Sequence, residues 1–251
     1  GASYTLTNTG NAITTLAGST GSVSFLENSG FAIGTVNTVG LTTTGNTTLS
    51  SAGTVTQSQK VAASGLELLG SGTFTLTNTG SANAVTTLAA NAGVVSFTQG
   101  TVFTVGTVNT VGITTTGNLA LVGSAGMTIG ANISTGAGTQ TYTGPVTLST
   151  GAITLASTDA AIVFNGSTTT INGARDLTIN SGIARITFGG TVGQSTAISS
   201  LALQGTGENY LPSAITATGN IDLKGASRTT PLQVNTSITS SSNGNVTLGD
   251  A

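Results

Sequence analysis

The sequence contains no cysteine, no histidine and no tryptophan, and only 5% of its 251 residues are charged. Without cysteine it can form neither a disulfide framework nor a thiolate metal site. Without histidine it lacks imidazole metal ligands and the base of a serine-histidine-aspartate triad. Soluble domains usually have roughly 25% charged residues. Threonine, serine, asparagine and glycine must therefore cover most of this protein's surface.

The formal net charge is −2, with five Lys and Arg residues in total. A basic surface that neutralises phosphates is therefore absent, and we expect no nucleic-acid partner. No apolar run approaches the roughly 18 residues of a membrane span, so we expect no membrane insertion of this segment. The chain opens at Gly1, and we expect it to be a mature product or an excised segment.

The most informative feature of the sequence is repetition. IGTVNTVGLTTTGN at 33–46 returns as VGTVNTVGITTTGN at 105–118, an offset of 72 (105 − 33), and only branched apolar residues differ. YTLTNTG at 4–10 returns as FTLTNTG at 74–80, an offset of 70 (74 − 4). Two residues are therefore inserted near 81–83, as is typical of a turn.

These offsets divide the chain into two copies, about 4–72 and 74–144, followed by a more divergent region, 145–251. Apolar residues within the copies recur at spacing two, as in Phe74/Leu76 and Val95/Phe97. Period two indicates strands with one buried face. Many short strands in a long repeat favour an all-β solenoid over a sandwich or a barrel.

The repeat length bears on the coil length. If three short strands form one coil, the repeat comprises three coils of about 24, and four coils of 18 are the competing division. In both cases we expect a whole number of coils, so that each inward Ile, Leu, Val or Phe stacks on its counterpart. Threonine suits the outer face because it is β-branched and hydroxylated.

The passages TLTNTGNAITTLAGSTGSVSFLENSGFAIGTVNTVGLTTTGN and GPVTLSTGAITLAS, together with INGARDLTINSGIARITFGGTVG, resemble the internal rod of filamentous-haemagglutinin-like bacterial adhesins of the two-partner secretion family. The resemblance covers essentially the whole chain. It implies a right-handed parallel β-helix that forms a single continuous rod, located outside the cell or on the bacterial surface. The Asn-Pro-Asn motifs of that family's N-terminal secretion module do not occur here.

Parallel β-helices also include polysaccharide-acting enzymes, in which paired carboxylates act on a sugar. The acidic residues are scattered along the chain: Glu27, Glu67, Asp159, Asp176, Glu208, Asp222 and Asp250. The two densest groups of charges are Arg175, Asp176 and Arg185, and Asp222, Lys224 and Arg228. We interpret both groups as solubilising surface charges, with Asp222 and Lys224 as an exposed ion pair.

Threonine pairs raise another alternative, an ice-binding face, but they are intermittent: Thr5/Thr7, Thr42/Thr44, Thr75/Thr77 and Thr114/Thr116. Asn-x-Ser/Thr sequons occur as often as this composition produces by chance, at Asn46, Asn132, Asn165, Asn235 and Asn245. Residues 172–176 (NGARD) do not match a calcium loop.

We therefore predict no catalytic, cofactor-binding or metal-binding residues and no enzymatic activity. The expected function is that of an adhesive or structural rod, a shaft or filament of a large surface protein. Its expected partners are other copies, end to end, and glycans or the surfaces of host or neighbouring cells. A polysaccharide-acting enzyme and an ice-binding solenoid are the alternatives.

Overall fold

Parallel strands stack into a β-solenoid of about 11 turns. The computed structural model describes residues 1–223 and 236–248, and the secondary structure of these two ranges contains strands and turns but no helix. Every strand pairing in these ranges is parallel, from that of Ser3 with Ser22 to that of Ile221 with Val246. The predicted all-β solenoid is thus confirmed.

Most of the strands are short because glycine, asparagine and serine corners interrupt them. In chain order they are β1 (Ser3–Leu6), β2 (Thr15–Leu16), β3 (Gly18–Thr20), β4 (Ser22–Leu26), β5 (Gly30–Ile33), β6 (Leu41–Thr43), β7 (Asn46–Ser50), β8 (Thr54–Gln57), β9 (Val61–Leu76), β10 (Ala84–Gln99), β11 (Phe103–Val105), β12 (Ile113–Thr115), β13 (Leu119–Gly123), β14 (Met127–Ile129), β15 (Ile133–Thr135), β16 (Gln140–Thr143), β17 (Val146–Leu148), β18 (Ile153–Ser157), β19 (Ile162–Phe164), β20 (Ile171–Asn172), β21 (Asp176–Asn180), β22 (Ile186–Phe188), β23 (Ser200–Gln204), β24 (Asn209–Tyr210), β25 (Ala214–Ala217), β26 (Ile221–Asp222), β27 (Ser237–Ser240) and β28 (Val246–Thr247).

The coil has three faces, visited in the order A, B, C. Face A contains β1, β4, β7, β12, β15, β18, β21, β23, β26 and β28. Face B contains β2, β5, β8, β13, β16, β19, β22 and β24. Face C contains β3, β6, β11, β14, β17, β20, β25 and β27. The long strands β9 and β10 run across all three faces.

The core is a single column of inward side chains along the rod axis. On face A, for example, Phe25, Leu49 and Leu68 stack in register, and all three are buried. Each fully buried side chain of this kind stabilises the fold by roughly 1.5–3 kcal/mol relative to exposure. Burial at these inward positions therefore explains why the repeats exchange only apolar residues of similar size.

Glycine at the corner between faces A and B allows the coils to approach. A Cβ on Gly93 would lie 2.1 Å from the Ser71 carbonyl oxygen, and one on Gly138 would lie 2.0 Å from the Gly117 carbonyl carbon. Any larger residue would force the coils apart, so the glycine content follows from the tight stacking.

The expectation that the repeat contains a whole number of coils is wrong. Val23 pairs with Thr47 and Thr47 with Leu66, so one coil advances the numbering by 24 (47 − 23) and the next by 19 (66 − 47). Three coils after Phe25, the residue on the same face is Ala90 rather than the sequence counterpart Phe97. The corners vary in length, and this variation breaks the match between repeat and coil.

The two copies lie three coils and one face apart. Phe25 and Phe31 form an edge-to-face pair, with ring centroids 5.0 Å apart, at the corner between faces A and B. Their counterparts Phe97 and Phe103 form the same contact at 5.1 Å, but between faces B and C. The repeat therefore preserves local packing while its direction around the rod axis changes.

A deletion that matches a true coil should leave the stacks intact. Ile162 pairs with Ile186, so removing residues 162–185 excises one coil and joins Ala161 to Ile186. Tyr142 and Phe188, now separated by Phe164, would stack directly. We expect a folded, slightly less stable rod, because a solenoid loses only the neighbouring interfaces of the missing coil. Circular dichroism and the thermal midpoint measure this.

The matched control removes one residue fewer, 162–184. It leaves Arg185 at the inward position of Ile162, and burying an unpaired charge costs several kcal/mol. The coil assignment is refuted if the shorter deletion folds as well as the one that removes the whole coil.

Candidate functional site

The acidic residues do not converge on one place in the part of the chain that the structure describes. Asp176 begins β21 on face A and accepts a hydrogen bond from Ser200 Oγ at 2.6 Å. Arg185 is directed to the next coil, where it forms an ion pair with Glu208 at 2.9 Å and lies over the ring of Tyr210, 4.3 Å from its centroid. The group of Arg175, Asp176 and Arg185 seen in the sequence is thus separated into independent surface contacts.

The second group of charges is largely outside the described residues. Lys224, Arg228 and Asp250 fall there, so the predicted ion pair of Asp222 with Lys224 stays a prediction. Asp222 itself lies on β26 of face A. Across residues 1–223 and 236–248, no three His, Cys, Asp or Glu side chains are grouped to hold a metal ion. In the same ranges, no helix is long and apolar enough to cross a membrane.

Two carboxylates are buried rather than exposed, and Glu67 is the more elaborate case. It lies on β9 of face A, directed away from the core, yet is only 2% exposed. The segment between β11 and β12, residues 106–112, folds back over it. This segment, the GTVNTVG loop, is closed by the Thr107–Val111 bridge and by a hydrogen bond from Gly112 N to Gly106 O at 2.8 Å.

The loop binds both oxygens of Glu67. Oε1 accepts hydrogen bonds from the backbone amide and the hydroxyl of Thr110, both at 2.7 Å. Oε2 accepts one from Asn109 Nδ2 at 2.7 Å and one from Thr48 Oγ1 at 2.9 Å. We call Asn109 and Thr110 the carboxylate clamp. The clamp joins the loop to Glu67, which lies two coils above it, that is, two coils closer to the N-terminus.

The clamp sets the charge state of Glu67. Burial alone would raise the pKa of this carboxyl group, but the hydrogen bonds from Thr110, Asn109 and Thr48 outweigh it and hold the pKa below its ordinary value of 4.5. Hydrogen bonds to the ionised form always act in this direction. Glu67 is therefore an ionised structural ligand for the loop.

Glu27 closes a corner in the first copy. Its pKa is lowered chiefly by the hydrogen bond from the Ser29 hydroxyl, and it also accepts a hydrogen bond from the backbone amide of Ile13 at 3.1 Å. In the second copy Gln99 accepts the corresponding bond from Val85 N at 2.7 Å. A neutral amide thus replaces the carboxylate, so the shared requirement is an acceptor oxygen and not acid–base chemistry.

The threonine pairs lie on different faces. Thr5 and Thr114 are on face A, Thr75 is on face B and Thr42 is on face C. One column of outward threonines does exist on face C, with Thr104, Thr128 and Thr147 in register, and Asn172 follows it. The surface thus presents mixed hydroxyl and amide groups instead of one continuous threonine array.

Sequence reasoning noted Glu67 among the acids but missed its burial and its partners. The signal that was present is the unusual LEL triplet, a charge between two inward leucines, together with the conspicuous repeated loop. Neither feature alone shows that the two meet.

No protein-family model, curated protein or solved structure matches this chain. The fold and the local contacts thus carry the functional argument.

The carboxylate clamp predicts an acid-sensitive stability. A carboxyl group with a lowered pKa in the folded state stabilises the protein above its unfolded pKa, and this stabilisation disappears as the pH falls through the folded value. For Glu27 and Glu67 the loss begins below about pH 4.5. From about pH 5 to pH 9 the thermal midpoint should be nearly constant, since no histidine titrates there.

Glu67→Gln should lower the stability at pH 7 by about 1–3 kcal/mol, because its amide group would face the Asn109 and Thr110 donors. It should also weaken the acid dependence below pH 4.5. Glu208→Gln removes the same charge from an exposed ion pair and should cost at most about 1 kcal/mol. Thermal melts of the three proteins from pH 3 to pH 7 measure both effects. Equal midpoints for wild type and Glu67→Gln at every pH would show that the clamp does not hold an ionised carboxylate.

Proposed function

We propose that this chain forms the shaft of an extracellular bacterial surface adhesin. The observation that carries the proposal is the continuous stack of parallel coils, which at a spacing of roughly 4.8 Å makes about 11 turns into a rod about 50 Å long. Such a structure holds its two ends at a fixed separation without a second domain. A spacer needs this property and needs no catalytic group.

The surface chemistry supports the same role. The described carboxylates are either used in corners, as Glu27 and Glu67 are, or dispersed along the coils, as Asp176 and Glu208 are. Hydroxyl and amide groups cover the faces, and they suit hydrogen bonding to glycans or to other rods. Attachment through these faces, and end-to-end association of copies, belong to the proposal.

The proposal is tested by measuring whether the rod spans a defined distance. The chain is displayed on a bacterium between an outer-membrane anchor and a terminal biotin-acceptor peptide, and capture is measured on streptavidin beneath a polymer brush slightly thinner than the rod. We expect capture with the full chain, less capture with the deletion of 162–185 and none with the peptide on the anchor alone. Capture that does not change with the length of the chain would overturn the shaft role.

The same cells without the peptide test for an adhesive face. Attachment to glycan-coated or uncoated surfaces supports such a face, whereas the absence of attachment overturns the adhesive part and leaves the shaft alone. Two assays on the purified chain address the other classes. Release of reducing sugars from a polysaccharide panel, or inhibition of ice recrystallisation, would contradict the proposal.

A further inference from the structure

At the N-terminal end of the rod the apolar core is open to solvent. Tyr4 and Leu6 on β1 are 51% and 45% exposed, whereas their counterparts Phe74 and Leu76 in the second copy are fully buried. A cavity of about 280 Å³ opens among Tyr4, Leu6 and Leu16, with six further residues in its lining. The same sequence is therefore buried where a coil lies above it and exposed where none does.

The first copy also contains the GTVNTVG loop, at residues 34–40, in the same conformation. A bridge joins Thr35 to Val39, and Gly40 N donates to Gly34 O at 2.8 Å, as in the second loop. Asn37 and Thr38 occupy the positions of Asn109 and Thr110. Both are exposed, and over the described residues their side chains have no hydrogen-bond partner. The first loop is thus a preformed carboxylate clamp without a carboxylate.

Asn11 also lacks a hydrogen bond that its counterpart Asn83 makes to the coil above. Asn83 donates to the carbonyl oxygens of Leu76 and Thr98, and its Oδ1 accepts from Val61 N of the coil above at 2.9 Å. Asn11 makes the two corresponding donations, to Leu6 and Leu26, both at 2.9 Å. Its Oδ1 accepts no hydrogen bond within the described part of the chain. This oxygen is thus placed to accept a hydrogen bond from a backbone amide of a coil above.

The register shows where a glutamate would have to lie. In the second copy, Ala89 is directly above the loop, and Glu67 pairs with Ala89 from the coil above. In the first copy, Ala17 takes the place of Ala89, between β2 and β3. The strands β2 and β3 pair only with coils below them. The glutamate would therefore belong to a coil seated on this free edge.

We propose that the N-terminal end binds a further parallel solenoid coil that carries an outward glutamate, which Asn37 and Thr38 hold while Asn11 accepts an amide of the same coil. Residues 57–69 of this chain, from the end of β8 into β9, have the required chemistry. The proposal deepens the shaft role, on which it rests, by naming what one end of the shaft accepts. The bound coil would also cover Tyr4, Leu6 and the cavity.

A second copy of this chain, stacked by its C-terminal end, fits the clamp less well. Among the described residues, the strand that would come to lie above β3 on face C is β27, Ser237–Ser240, and it offers serine and threonine in place of a carboxylate. End-to-end stacking of copies would cover apolar surface, but β27 would offer Asn37 and Thr38 no carboxylate. For the N-terminal clamp we therefore favour the glutamate-bearing coil over the end-to-end association of copies, and the test below distinguishes the two.

The test extends the full chain by placing a copy of residues 46–70 ahead of Gly1, which reproduces the native spacing before β1. Asn37→Ala is made in the extended and in the original chain, and thermal midpoints are measured by circular dichroism. In the extended chain we expect a fall of about 3 °C or more. In the original chain we expect no change. Asn109→Ala in the original chain calibrates the effect of an occupied clamp.

Two further measurements keep the proposal falsifiable. In the extended chain, replacing the added glutamate by glutamine should abolish the effect of Asn37→Ala, and the Thr38 amide should gain protection from hydrogen exchange. No added protection at Thr38, or an Asn37→Ala shift that is equal in both chains, overturns the proposal. Concentration-dependent association of the original chain that Asn37→Ala breaks would assign the end to a second copy instead. None of these outcomes alters the capture assay of the shaft role.

Discussion

The ladder of hydrogen bonds between successive parallel coils constrains everything else in this protein. Every strand must meet the strand below it in register, because a buried backbone amide without a partner costs free energy. Inward side chains then stack on inward ones and outward side chains on outward ones. An apolar column results inside, and outside the same rule would place charges one above another about every 4.8 Å. A sequence with 5% charged residues avoids that repulsion.

The ladder is interrupted where corners lengthen, and polar side chains then replace it. Glu27 and Gln99 accept hydrogen bonds from backbone amides at two such places. Asn83 connects three coils through five hydrogen bonds, one of which comes from the backbone amide of Val61. Glu67 connects its coil to the GTVNTVG loop through hydrogen bonds from Asn109 and Thr110. The buried polar groups of this fold are therefore connectors between coils. Among the described residues, no buried side-chain nitrogen or oxygen atom lacks a partner.

Stacking distributes side chains along columns and makes each coil depend on the next. What differs along the rod is whether a coil has a neighbour. The residues around Tyr4 and Asn37 repeat those around Phe74 and Asn109, and the difference in their burial and bonding arises from that neighbour alone.

The sequence by itself determined the strand type, the inward and outward alternation and the stacked architecture, since period two and local repetition are properties of neighbouring residues. It could not determine the coil length, because corners absorb or add residues without changing the strands, and the step from Val23 to Thr47 is longer than the next one, from Thr47 to Leu66. The two copies of the repeat therefore lie on different faces. Nor could it show that Glu67 is buried by Asn109 and Thr110, which are distant from it along the chain. Only the tertiary register brings that loop over that carboxylate, because contact between them depends on how many residues each intervening corner contains.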